Sequence, residues 1–253
     1  MTTDLGSRDH YAAILKGAIL SKRPETRLID VSHHIHSFDI VHAAYVVQNA
    51  FRGFPKGSVH IVTVDNTARA DLSYLCLVYD GHRFIVPDNG MASLLFPDER
   101  LVCRRFDLSV LNGAQQAQKI AWMLDQLLAV VDLAELGLPA DDVTQRIGLQ
   151  AVIQSDRINA AVMHVDHFGN LILNVQRPLF DQVGKGRSFA LYFKRFDPIQ
   201  VLSTYYDDVP VGETLCRFND SGYLEIAIHM GRAADLLGLQ IDDTIQIEFL
   251  PNE

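Results

Sequence analysis

Behind the polar opening TTDLGSRDHY, apolar residues recur at helical spacing in YAAILKGAIL, with Tyr11, Ile14, Leu15, Ala18 and Ile19 on one stripe, and predict a buried helix. Ser7 and Asp9 stand where a cap for its first free amides would stand, whereas Asp4 lies too far upstream to cap anything. RLIDV reads as a strand ending near Val31. A polar loop, SHHIHSFD, then leads into a helix capped by Asp39, with Ala43, Ala44, Val47 and Ala50 on its inner side. GSVHIVTVD and YLCLVYD read as strands joined through NTARADLS, and the Asp80-Gly81 pair predicts a tight hairpin into HRFIVP. QQAQKIAWMLDQLLAVVDLAELGL is the last long helical pattern. Strands alternating with helices up to about residue 137 predict an α/β domain with a mostly parallel central sheet.

Past the polar connection PADDVTQRIGLQ the period changes. NAAVMHVD, RSFALYFK, TLCRFND, YLEIAIHM and DTIQIEFL are short, rich in β-branched and aromatic residues, and separated by turn residues, as in a small all-β, barrel-like domain. GRAADLLGL is the only helix expected among them. The expected boundary divides the chain into residues 1–155 and 156–253.

The 253 residues suffice for a sizeable core in two moderate domains. A formal charge of -9, without clusters of Lys and Arg, argues against nucleic acid and anionic membrane and suits a cationic small ligand. Cys76, Cys103 and Cys216 are odd in number, widely spaced and set in apolar segments. They read as buried thiols of a reducing compartment, the cytoplasm, and no apolar run approaches the ~20 residues of a membrane helix.

Open α/β sheets bind ligands at the carboxyl ends of their strands, where the polar loops after residue 3, Val31, Val64 and Val86 fall. In SHHIHSFD, His33 and His36 have a ligand spacing. An extended loop does not fix that geometry, and no carboxylate or cysteine pattern completes a site, so no metal is expected. Asp65 ends a strand in VDNTAR, a natural place for a working carboxylate, although Asp-Asn also forms turns. PDNG, Pro87 to Gly90, needs no more than a turn to explain it. VDHFGNLILN holds more than a turn requires: Asp166 at a strand end, an exposed Phe168, and Asn170 and Asn174 around an apolar pair.

Taken together, TTDLG with its following Asp9, the run from IDVSHHI through AAYVVQN to FPKGSVHIVTVD, FIVPDNG and VDHFGN resemble, in order and spacing, the S-adenosyl-L-methionine (SAM) hydroxide adenosyltransferases. The same motifs resemble that family's relatives, the bacterial fluorinase and chlorinase. The resemblance spans almost the whole chain. It implies a homotrimer whose subunits carry an N-terminal α/β domain and a C-terminal β-barrel, with the adenosyl site between one subunit's first domain and its neighbour's second. It places Asp4 at both ribose hydroxyls, Asp9 near the methionine end and Phe38 beside ribose and sulfonium. Asp166 falls at the methionine amine, Asn170 and Phe168 at adenine, and Tyr205 at another aromatic wall. Carboxylates and aromatic rings suit a sulfonium cation, by charge and by cation–π attraction of about 0.5 to 2 kcal/mol per ring.

The implied reaction is substitution at ribose C5′, with methionine leaving as a neutral thioether. SAM is the substrate and no cofactor is required. A water nucleophile needs help with its proton, which the hydroxide-transferring branch credits to an Asp-Arg-His set whose Asp matches Asp65. This chain departs from that set. Leu72 stands at the distance of the Arg, for which Arg69 is the candidate substitute, and Gln115 or Gln116 stands near the place of the His. The halogenases' Tyr-Pro-x-Thr and Phe-x-Ser motifs are absent, and Asp220 and Ser221 occupy the place of their Ser-Arg at the methionine carboxylate. Family members also carry an apolar strand before Thr-Asp, which here is either shortened or lies upstream of Met1. The expected function is SAM hydrolysis to adenosine and L-methionine. The alternatives are a catalytically reduced adenosine- or SAM-binding protein and an adenosyltransferase using another nucleophile.

Overall fold

The computed structural model describes residues 1–66, 71–97, 99–109, 111–130, 132–194 and 197–251. Its internal contacts divide the chain into two compact units, Met1–Gly148 and Leu149–Glu253. The division falls a few residues before the place read from composition, because the short strand at Val152–Gln154 pairs with the second unit's sheet.

The first unit runs β1 (Thr2–Thr3), α1 (Tyr11–Lys22), α2 (Ile40–Ala50), β2 (Val59–Thr63), β3 (Ser73–Tyr79), β4 (His82–Pro87), α3 (Met91–Leu95), β5 (Cys103–Asp107), α4 (Gly113–Ala129) and β6 (Leu138–Pro139). The sheet order is β1-β2-β4-β3-β5-β6. It is a mixed sheet. β1, β2 and β4 are parallel, whereas the Asp80-Gly81 hairpin, with φ of 47° and 73°, folds β4 back against β3, and β5 and β6 continue antiparallel. Alternation along each strand sorts its side chains between two helical layers. Ile61, Tyr74, Cys76 and Ile85 face a core built with Leu15 and Ile19 of α1 and Ile120, Leu124 and Leu127 of α4. Leu75, Leu77, Phe84 and Val86 face Ala43, Ala44 and Val47 of α2 and Met91 of α3.

Asp39 caps α2 as expected, accepting from His42 N at 2.9 Å. Three local expectations are corrected. The residue preceding α1 is His10, and neither Ser7 nor Asp9 caps the helix, since Ser7 Oγ is engaged with His34 Nε2 at 3.1 Å. Tyr11 and Ile14 are exposed, and Ala12 is buried with Leu15 and Ile19 instead. The run ending at Val31 forms no strand. It lies along β1 through Val31 N to Met1 O and Thr3 N to Ser32 O, with a single bridge from Thr2 to Ser32, because β1 is only two residues long.

The second unit contains β7 (Val152–Gln154), β8 (Arg157–Val165), β9 (Leu171–Gln176), α5 (Arg177–Gly184), β10 (Phe189–Tyr192), β11 (Thr214–Phe218), β12 (Tyr223–Ile228), α6 (Ala233–Leu237) and β13 (Thr244–Phe249). Its sheet is antiparallel, in the order β10-β13-β8-β9-β12-β11, with β7 on β8. Register shifts at Val162/His164 and Tyr223/Glu225 mark bulges, which curl such sheets. The helix at α6 matches the sequence pattern, but α5 corrects the expectation of a single helix. Pro178 starts it, Lys185 at φ 53° ends it, and Phe180 and Val183 bury against the core. Three apolar positions, Leu179, Phe180 and Val183, in eight residues are too few to show as a period.

Candidate functional site

In the first unit three loops converge at the carboxyl ends of β1, β2 and β4. Asp4 follows β1, and its Oδ2 accepts the backbone N–H of Phe38 at 2.9 Å and of Asp65 at 3.2 Å. Both donors lie in the left-handed region, Phe38 at φ 67° and Asp65 at φ 52°, a conformation costing a non-glycine residue about 1 kcal/mol or more. One carboxylate oxygen thus holds two strained loops. Among the described residues Asp4 Oδ1 accepts no hydrogen bond. Thr3 Oγ1 with His33 Nδ1 at 2.8 Å, and Gly6 N to His33 O at 2.7 Å, fasten the histidine loop over β1. Burial lowers the pKa of His33 below its ordinary value, as expected for an imidazole built into the frame.

Phe38 and Asp65 line a cleft of about 500 Å³ together with Asp71, Leu72, Ser73 and Asp88. Leu72 is 2 % exposed, so an apolar side chain forms the wall at the position where the resemblance expects arginine. Arg69 lies outside the described residues. Of the two glutamines, Gln115 is exposed and committed to a capping box with Asn112. Gln116 is buried, accepts from Asn66 Nδ2 at 3.2 Å and donates to Leu111 O at 3.0 Å. It is therefore Gln116 that touches the residue after Asp65.

Three hydroxyl or amide oxygens near this place were not singled out from the sequence. Thr63 Oγ1, Asn66 Oδ1 and Tyr74 OH are buried without a hydrogen-bond partner among the described residues. Tyr74 faces the α1/α4 layer, and burial, reinforced by the negative charge of Asp4, pushes its pKa well up, so it stays a protonated donor. A tyrosine inside an apolar strand reads as packing, and only tertiary structure shows its hydroxyl near Asp4.

The PDNG stretch does more than turn the chain. Asp88 Oδ2 accepts from Arg105 Nε at 3.0 Å and Nη2 at 2.7 Å, and its Oδ1 accepts from Thr144 N at 2.9 Å. Asn89 Nδ2 donates to Val64 O at 3.1 Å. Gly90, at φ 101°, lies so close to Arg146 that a Cβ would stand 2.0 Å from Arg146 Cγ. These bonds bring Thr144, Arg146 and Ile147 to the cleft wall.

In the second unit, Gly169 at φ 82° closes the turn after β8, and a Cβ there would come within 2.9 Å of Arg232 Cβ. Asp166 and Asn170 bind each other: Asp166 Oδ1 accepts from Asn170 N at 2.8 Å and Oδ2 from Asn170 Nδ2 at 3.0 Å. Phe168 is 71 % exposed and Tyr205 65 % exposed. Asn174 is explained by framework bonds, from Ala161 N and to Leu149 O. Sequence reasoning missed the buried Glu225, which accepts from Tyr206 OH at 2.7 Å and lies 3.8 Å from Arg217 Nη1; burial raises its pKa. Asp9 is exposed and does not line the first unit's cleft.

A six-stranded mixed α/β layer and an antiparallel β unit, each carrying its own polar cluster, define a two-domain protein with a cleft lined by carboxylates in its first unit. The SAM hydroxide adenosyltransferase N-terminal domain matches residues 1–130 and the C-terminal domain of that family matches residues 160–246. The chain belongs to the SAM hydroxide adenosyltransferase family. It is similar to the (R)-S-adenosyl-L-methionine hydrolase of Methanocaldococcus jannaschii, 26% identical over 98% of this chain and 94% of the relative. The protein of the same name from Salinispora tropica is 27% identical over 97% and 95%. A fluorinase from Nocardia brasiliensis is 21% identical over 97% and 95%. The fold matches that of an uncharacterized conserved protein from Thermotoga maritima at a TM-score of 0.85 and 23% identity, covering 97% of this chain and 98% of the other.

Proposed function

We propose that this protein hydrolyses SAM to adenosine and L-methionine, with water displacing methionine at ribose C5′. The observation that carries this reading is Asp4, whose Oδ2 holds Phe38 and Asp65 while Oδ1 keeps its acceptor capacity for the ribose hydroxyls. Phe38 supplies an aromatic face beside the sulfonium, and the acidic cleft favours a cation. Asp166, Phe168, Asn170 and Tyr205 are read as the second unit's binding residues for the methionine amine and adenine, contributed by a neighbouring subunit of a trimer. Asp9 is read at the methionine end on the resemblance alone.

The leaving group already carries the positive charge, so the protein mainly has to align water opposite sulfur and accept its proton as the C5′–O bond forms. Asp65 is the residue assigned to that water. The Asn66–Gln116 hydrogen bond holds its loop against the start of α4, and Arg69 remains the candidate charge partner. No metal or further cofactor enters the reaction.

One observation favours a second reading. Leu72 is apolar at the arginine's place, and Gln116 cannot accept a proton, as expected of a binding protein that has kept the adenosyl site and lost most of its turnover. Incubating the protein with SAM in plain buffer and with chloride, and following adenosine, chlorinated adenosine and methionine, separates these readings. Adenosine above the no-protein blank supports hydrolysis. Tight binding of SAM or adenosine by calorimetry, without product, replaces it with the binding protein, and chlorinated adenosine replaces it with a halide transfer.

A further inference from the structure

We propose that His36, Asp39 and His42 form a binding site for one divalent transition-metal ion of the zinc or nickel type, apart from the residues that line the cleft. One ligand atom from each of the three side chains lies within 4.8 Å of the others. Atoms sharing a tetrahedral ion at zinc bond lengths of about 2.1 Å sit about 3.5 Å apart, so small side-chain rotations close the set. In the loop itself the His33–His36 spacing has no carboxylate pattern beside it to complete a ligand set. Folding supplies one, because capping places Asp39 at the start of α2 and His42 in its first turn.

The geometry is fixed where it needs to be. Asp39 Oδ1 accepts from His42 N at 2.9 Å, which orients the carboxylate and the first turn together. The rings of His36 and His42 are 5.0 Å apart between centroids, at 65° to one another. His42 Nδ1 accepts from the backbone N–H of His36 at 3.3 Å, a long bond that an ion on this nitrogen would displace. Two imidazoles and one carboxylate make a donor set that favours zinc, nickel or copper over calcium or magnesium. The other two histidines of the loop are used elsewhere, His33 with Thr3 and Asp30 and His34 with Ser7. An ion here would clamp the residues on both sides of Phe38, one of the two residues held by Asp4.

The test is calorimetric titration of the metal-stripped full-length protein with zinc chloride and nickel chloride, repeated on His36→Ala, Asp39→Asn and the double variant, with cobalt absorption as the spectroscopic readout. Asparagine also caps helices, so Asp39→Asn leaves α2 intact. Wild type should bind one ion per chain, each single variant should lose at least about tenfold in affinity, and His34→Ala should bind as wild type. Absence of binding by wild type, or equal binding by the double variant, which would mean an adventitious ion only, overturns the proposal.

Discussion

The carboxylate of Asp4 meets the backbone amide of Asp65 at 3.2 Å across 61 residues of sequence, and Asp65 adopts a φ of 52° there. The same oxygen takes the amide of Phe38, so the residues proposed as ribose acceptor, aromatic wall and water-side carboxylate share one anchor. Asp4→Ala removes two charge-assisted hydrogen bonds from a half-buried site. A stability loss of about 2 kcal/mol is expected from chemical denaturation, together with at least about a tenfold loss in adenosine affinity by calorimetry.

If Asp65 serves the water and Asp4 the ribose, their variants should fail differently. Asp65→Asn is expected to lower kcat by about a hundredfold or more while KM changes little. Steady-state kinetics on SAM reads this, and an unchanged kcat removes Asp65 from its role.

Gln116 is buried against Asn66, and it is one of the two glutamines near the place the resemblance gives to a histidine. Gln116→His should raise kcat and add a pH dependence on its acidic side with an inflection near about 6.5, the ordinary imidazole value. A pH–rate profile indistinguishable from wild type would show that Gln116 does not face the water.

Arg105 links Asp88, whose side chain is 5% exposed, to Asp142 and so fixes the segment that carries Thr144 and Arg146. Arg105→Ala leaves the Asp88 carboxylate without its cation, at a cost of roughly 3 kcal/mol. KM for SAM should rise with it, because the cleft wall loosens. Asp88→Asn, which keeps an acceptor for Thr144 N, should cost less in the same denaturation experiment.

Stability should also fall with acid for a reason remote from the cleft. His60 is buried beside Phe84 and 3.3 Å from His82, and burial followed by the charge of His82 lowers its pKa to about 4. The unfolded chain then binds the proton more readily than the folded one. This contribution is complete above about pH 6.5 and is lost on acidification towards pH 4, by on the order of 3 kcal/mol. Denaturant midpoints at pH 5 and 7.5 measure it, and His60→Phe should narrow the difference.

The sequence showed the anchor without its geometry. Asp4 stood out because it lies too far upstream to cap α1 and Asp65 because it ends a strand, whereas Phe38 was marked by the family resemblance alone, and the loops that carry the three do meet. What stayed hidden depends on distant partners. Asp88 appeared to be a turn residue because Arg105 and Thr144 are 17 and 56 positions away. Tyr74 appeared to be core because nothing local marks a buried hydroxyl near a carboxylate. Ser7 and Asp9 fitted a helix-cap pattern, but a histidine 27 residues on claims Ser7. The grouping of His36, Asp39 and His42 is hidden for a related reason: His42 lies inside the helical pattern of α2 and outside the histidine loop.

The most direct test of the central claim is to incubate the protein with SAM in water enriched in heavy oxygen and weigh the adenosine by mass spectrometry. Attack by water at C5′ requires adenosine above the blank carrying one heavy oxygen in its 5′ hydroxyl, and about a hundredfold less of it from Asp65→Asn over the same time. Adenosine without the label, or no adenosine at all from wild type, would contradict it.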